Sequence, residues 1–89
     1  MYRMLIVDDE RIIRETLSRH IEWAALDVQV IGTASNGLEA YDIIMDEYPD
    51  IVMTDIKMPG FSGLELLQRI KSLHPDIEFI LLSGYGEFE

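Results

Sequence analysis

The chain has 89 residues, no cysteine, and 17 acidic side chains against 7 Lys and Arg, for a net charge of −10. That length supports one small domain, the absence of cysteine excludes a disulfide framework or thiolate metal site, and the negative field repels nucleic-acid phosphates. Hydrophobic residues at 48% and charged residues at 27% belong to a folded globular chain, and every apolar run is far shorter than the roughly 20 residues that span a bilayer.

The first apolar run, Met4 to Val7, has no polar break, as expected of a strand buried on both faces. Asp8, Asp9 and Glu10 follow it at once, which is not the pattern of a secretory signal, so a cytoplasmic domain is expected. From Glu10 to about Ala24, Ile13, Leu17, Ile21 and Ala24 keep a helical period, with Ile12 widening the stripe. Val28 to Gly32 reads as a second strand, more exposed because of Gln29. Asn36 opens a second helix, with Glu39 three residues on as in a capping box and Tyr41, Ile44, Met45 and Tyr48 as its apolar stripe. Pro49 stops that helix, and Ile51 to Thr54 is a third strand.

A loop with Pro59, Gly60 and Gly63 comes next. Ser62 and Glu65 form a second capping box, ahead of a helical face of Gly63, Leu66, Leu67, Ile70 and Leu73. Pro75 ends that helix, and Ile77 to Leu82 is a fourth strand. Strands alternating with helices predict an α/β fold, a parallel sheet with right-handed crossovers. An α/β chain that stops at Glu89 leaves an apolar edge strand uncovered, so the domain is expected to continue, and these residues alone are expected to pair or exchange strands as a homo-oligomer.

The chemistry lies at the strand ends. The first strand ends in Asp8 and Asp9, the third in Asp55, and the fourth in Ser83 and Gly84. Ligands of an open parallel sheet bind beyond the carboxyl ends of its strands, where strand order reverses. With the first, third and fourth strands adjacent, three carboxylates and a hydroxyl meet there, and crowded acids repel unless a cation intervenes. Mg²⁺ suits that donor set, since it takes one or two carboxylates plus waters and phosphate oxygens. An aspartate beside Mg²⁺ is a nucleophile toward phosphorus. Backbone N–H groups in the Lys57 to Gly60 loop, together with Ser83, are candidates to hold the transferred group. Asp8 with Asp9 is a weak signal alone, since acidic pairs cap helices; the three segments together are a strong one.

Those segments, Leu5 to Glu10, Asp50 to Gly60 and Leu81 to Gly86, resemble the receiver domain of two-component response regulators. The resemblance covers residues 1–89 and stops before the family's fourth helix, fifth strand and fifth helix. It implies a doubly wound, flavodoxin-like sheet of order 2-1-3-4-5, of which this chain holds 2-1-3-4. It also implies that Asp55 is phosphorylated, Asp9 binds Mg²⁺ directly, Asp8 binds it through water, and Lys57 offers a backbone carbonyl. Ser83 matches the switch hydroxyl, with Met58 and Gly84 as further phosphoryl contacts. The implied partner is a sensor histidine kinase, with DNA reached only through an effector region outside this chain to control transcription. Trp23, Ala34 to Gly37 and Ser83 to Glu89 resemble regulators with an AraC-type DNA-binding region. The family's fifth-strand lysine and aromatic switch residue fall outside these residues.

Other residues read as structural. His74 ends a helix, where a cation suits the dipole; His20 lies on a helix flank; Met4, Met45 and Met53 fill the core; Trp23 packs. Arg11, Arg14 and Arg19 read as a solvated helix face. Gly84 and Gly86 lack the rest of a dinucleotide fingerprint. A hydrolase with an aspartate nucleophile is the competing enzyme reading, but such phosphatases place a second acid two residues on, where this chain has Lys57. A module that is never phosphorylated is the third reading, and the retention of all three acids counts against it.

Overall fold

In the computed structural model, which describes residues 1–82, the first apolar run becomes β1 (Tyr2–Val7). The chain then runs through α1 (Arg11–Arg19), a 3₁₀ turn (Trp23–Leu26), β2 (Val28–Ala34), α2 (Gly37–Glu47), β3 (Ile51–Asp55), α3 (Gly63–Leu73) and β4 (Glu78–Leu82). The four strands pair in parallel in the order β2-β1-β3-β4. Strand order therefore reverses between β1 and β3, and the crevice at their carboxyl ends is the binding position of such a sheet.

Alternation along the strands sorts the core into two layers. Leu5, Val7 and Val52 face α2 and α3, where Ala40, Ile44, Leu66 and Ile70 cover them with no exposed surface. Met4, Ile6 and Met53 face the other way, against Leu17, Trp23 and Val28. Each fully buried Leu or Ile contributes about 1.5–3 kcal/mol, so the first layer is the larger source of stability. The second layer thins toward β4. There Tyr2, Ile51 and Ile80 line an open groove of about 300 Å³ rimmed by Asp50, Asp76 and Glu78, and Ile80 is 43% exposed. Among the described residues β4 is an edge strand, as expected.

Several details depart from the sequence reading. The first helix ends at Arg19 and does not reach Ala24. The Trp23 indole Nε1 donates to the Leu17 carbonyl at 2.7 Å, the same oxygen that an Ile21 N–H would need to continue the helix. β2 runs on to Ala34, past Gly32, with a register shift where Met4 pairs with Val30 and Leu5 with Gly32. The α2 stripe centres on Gly37, Ala40 and Ile44, while Met45 and Tyr48 are exposed, so Met45 is not core filler.

The Asn36 cap is half of a capping box. Its side chain accepts from Glu39 N at 2.9 Å, but the Glu39 carboxylate accepts from the Ser35 N–H and hydroxyl instead. The Ser62–Glu65 box is complete. Before the buried Pro49, Tyr48 closes α2 in the left-handed region at φ 52°. His74 caps α3, as its position predicts, and its Nδ1 is hydrogen-bonded to the Tyr48 hydroxyl, so the two helix ends meet. No helix among the described residues is long and apolar enough to cross a membrane.

Candidate functional site

Asp8 directly follows β1, and its N–H donates to Ala34 O at 3.1 Å, so the residue is fixed by the β1–β2 ladder itself. Its side chain is 2% exposed. One carboxylate oxygen accepts from Glu10 N at 2.9 Å, which turns the chain into α1. Asp9 is exposed and Asp55, the last residue of β3, is half-buried. Each of the three acids offers an oxygen within 4.8 Å of the others.

The electrostatics follow from that crowding. Burial raises the Asp8 carboxyl above its ordinary range, and Asp9 adds to the rise, against the Glu10 N–H and the Arg14 cation. Burial likewise raises Asp55, followed by the charges of Asp8 and Asp9, while the backbone N–H groups of Lys57 and Ile56 oppose the rise. Carboxylates held together at this cost are what a hard divalent cation neutralises, and an all-oxygen donor set with room for water matches Mg²⁺ chemistry. The residues present fit such an ion.

The peptide around Asp55 is held from several sides. The buried Thr54 hydroxyl donates to Asp55 O at 3.1 Å. Ile56 N donates to Leu82 O at 3.0 Å, and Gly63 N donates to Ile56 O at 2.9 Å, tying the start of the loop to β4 and to α3. The site thus brings together Asp8, Asp9 and Asp55 as the sequence anticipates. Lys57 is exposed beside it with its N–H turned to Asp55. The Met58 side chain is buried in the α2–α3 layer, which leaves only its backbone for the site. Ser83 and Gly84 lie outside the described residues.

Arg14 was missed as a site residue. Its guanidinium donates to the Asp8 carbonyl at 2.8 Å, so it is not part of a purely solvated face. Its signal was spacing: a first-turn arginine six residues after Asp8 reaches back to the strand end.

The family model for the response regulator receiver domain matches residues 4–89. The chain belongs to the response-regulator receiver family. Its receiver sequence is 51% identical over 89 residues to the transcriptional regulatory protein YesN of Bacillus subtilis (strain 168), covering all of this chain and 24% of that protein. The receiver (REC) domain of AraT, a response regulator from Geobacillus stearothermophilus, superposes with a TM-score of 0.91 at 33% identity, over 98% of this chain and 67% of that one. A two component transcriptional regulator AraC from Clostridium phytofermentans ISDg superposes at 0.90 with 39% identity, over 99% of this chain and 68% of that one. The receiver chain therefore spans about a quarter of YesN.

Proposed function

We propose that Asp55 accepts a phosphoryl group from the phosphohistidine of a sensor histidine kinase, with Mg²⁺ held by Asp8, Asp9, Asp55 and the Lys57 carbonyl. The observation that carries this reading is the meeting of three carboxylates, within 4.8 Å, at the switch point of the sheet. Asp55 supplies the nucleophile: one of its carboxylate oxygens forms the new P–O bond as the P–N bond to the histidine breaks, and the electron pair leaves on the imidazole nitrogen. When bound, Mg²⁺ supplies positive charge for the phosphoryl oxygens.

The remaining work falls to the chain's own groups. The Lys57 N–H group orients the Asp55 carboxylate. The Ser83 hydroxyl and the backbone at Met58 and Gly84 are assigned to the transferred group. Arg14 pins the Asp8 carbonyl and so keeps the acidic pair at the mouth of the crevice. The acyl phosphate then biases a downstream output, transcription through a DNA-binding effector region of the AraC type beyond this chain, in the cytoplasm.

Intact-mass analysis tests the assignment. With a small acyl-phosphate donor, the wild-type protein gains one phosphoryl group only when Mg²⁺ is present. Asp55→Asn abolishes that gain; an unchanged yield would sink the assignment.

A further inference from the structure

We infer that Gly63 is a positioning residue for the phosphoryl acceptor, an inference that rests on the reading of Asp55 given above. Gly63 is the first residue of α3 and is buried. A Cβ built on it would lie 1.9 Å from the Asp55 carbonyl oxygen, 2.9 Å from the Asp55 carbonyl carbon and 3.2 Å from Ile56 Cα. All three are backbone atoms, so no flexible side chain can yield. The helix start and the acceptor peptide approach this closely only because the residue between them has no side chain.

Backbone conformation is not the reason for the glycine. Among the described glycines only Gly60 takes a positive φ, at 77°. The requirement at Gly63 is proximity. The Gly63 N–H donates to Ile56 O at 2.9 Å, and Ile56 N donates to Leu82 O at 3.0 Å. The Asp55–Ile56 peptide is therefore held between β4 and the first turn of α3. Any Cβ at position 63 must displace the Asp55 carbonyl, and with it the root of the side chain that meets Asp8 and Asp9. A displacement on the order of 1 Å at a reacting group costs about 10²-fold in rate.

A matched control lies at the start of α2, against the same loop. Gly37, the first residue of α2, is also buried, and a Cβ there would lie 2.4 Å from Phe61 O and 2.8 Å from Phe61 Cβ. Alanine at Gly37 forces a comparable backbone clash at the far end of the loop, away from Asp55. The two variants thus share a steric penalty and differ in which residue is pushed.

The test uses the intact protein, with acetyl phosphate as donor and Mg²⁺ alone as the titrant. Gly63→Ala is expected to lower the Asp55 labelling rate by about 10²-fold and to weaken Mg²⁺ binding measured by calorimetry. Gly37→Ala, corrected for its folded fraction, is expected to stay close to wild type in both. Equal losses in the two variants would overturn the inference, because the effect would then be general loosening of the loop. Wild-type labelling and Mg²⁺ binding in Gly63→Ala would also overturn it, while leaving the acceptor assignment intact. If Gly63→Ala does not fold, amide exchange of the wild-type protein decides: Gly63 and Ile56 amides protected and shifted by Mg²⁺ support the contact, and exchange as fast as Gly60 refutes it. A wild-type protein that does not label with Mg²⁺ present would overturn the acceptor reading itself.

Discussion

Replacing Asp8 by asparagine removes a charge from a side chain that is 2% exposed and keeps an oxygen able to accept from Glu10 N. Two other carboxylates lie within 4.8 Å of it. Repulsion between unit charges at that separation is about 1 kcal/mol in bulk water and about 3–4 kcal/mol at an effective dielectric constant of about 20. Asp9 is exposed and Arg14 offsets part of the repulsion, so the low end applies. Asp8→Asn is therefore expected to stabilise the metal-free fold at neutral pH by about 1–2 kcal/mol, each kcal/mol raising Tm by about 4–8 °C in a domain of this size.

The pH dependence has a definite sign. Burial raises the Asp8 carboxyl above its ordinary 3.8, so the folded state binds this proton more tightly than the unfolded state does. Stability from this group is present below 3.8 and is lost as pH rises through the raised folded value. The advantage of Asp8→Asn is therefore absent below 3.8 and grows toward neutrality. Urea denaturation in chelator, repeated along that pH series, measures it. Mg²⁺ is expected to reverse the ranking, since an ion bound only by the folded state would stabilise the wild type by mass action. A variant less stable than wild type at neutral pH in chelator, or a gain that does not change with pH, would refute the reasoning.

Two further substitutions test the frame around the site. Ser62→Ala removes the cap that accepts from Glu65 N at 3.2 Å and is expected to cost about 1 kcal/mol in chemical denaturation, with the labelling rate per folded molecule unchanged. Trp23→Phe deletes the indole donor to Leu17 O while keeping an aromatic ring in the second layer, and a loss of about 0.5–1.5 kcal/mol in Tm-derived stability is expected.

The parallel sheet and the three acids were legible because they rest on short-range pattern. Apolar runs without polar breaks mark strands covered on both faces, and the acids stand at the ends of those runs. Strand order came from the family resemblance, since no local residue preference fixes which strands are neighbours. The end of α1 was not legible because the group that stops it is a side chain, the Trp23 indole, competing for a backbone oxygen. The α2 face was misplaced for a different reason. Gly37 and Ala40 are the residues pressed against the sheet, and small residues carry little weight in an apolar stripe beside Tyr41, Met45 and Tyr48. Arg14 looked solvated because charge pattern along a helix does not reveal that its first turn leans over a strand end. Gly63 stood in the sequence only as a loop and helix-start residue; its contact with the Asp55 carbonyl is a distance between backbone segments that no spacing encodes.

The indole that terminates α1 is also the chain's one tryptophan. It is half-buried against the second core layer and bonded to the last turns of the helix whose first turns carry Arg14 and its hold on Asp8. The emission of that ring reports how α1 is seated, from the end opposite the acidic crevice. A change in fluorescence on adding metal would therefore be a mechanical reading taken along the length of a helix, with no label introduced.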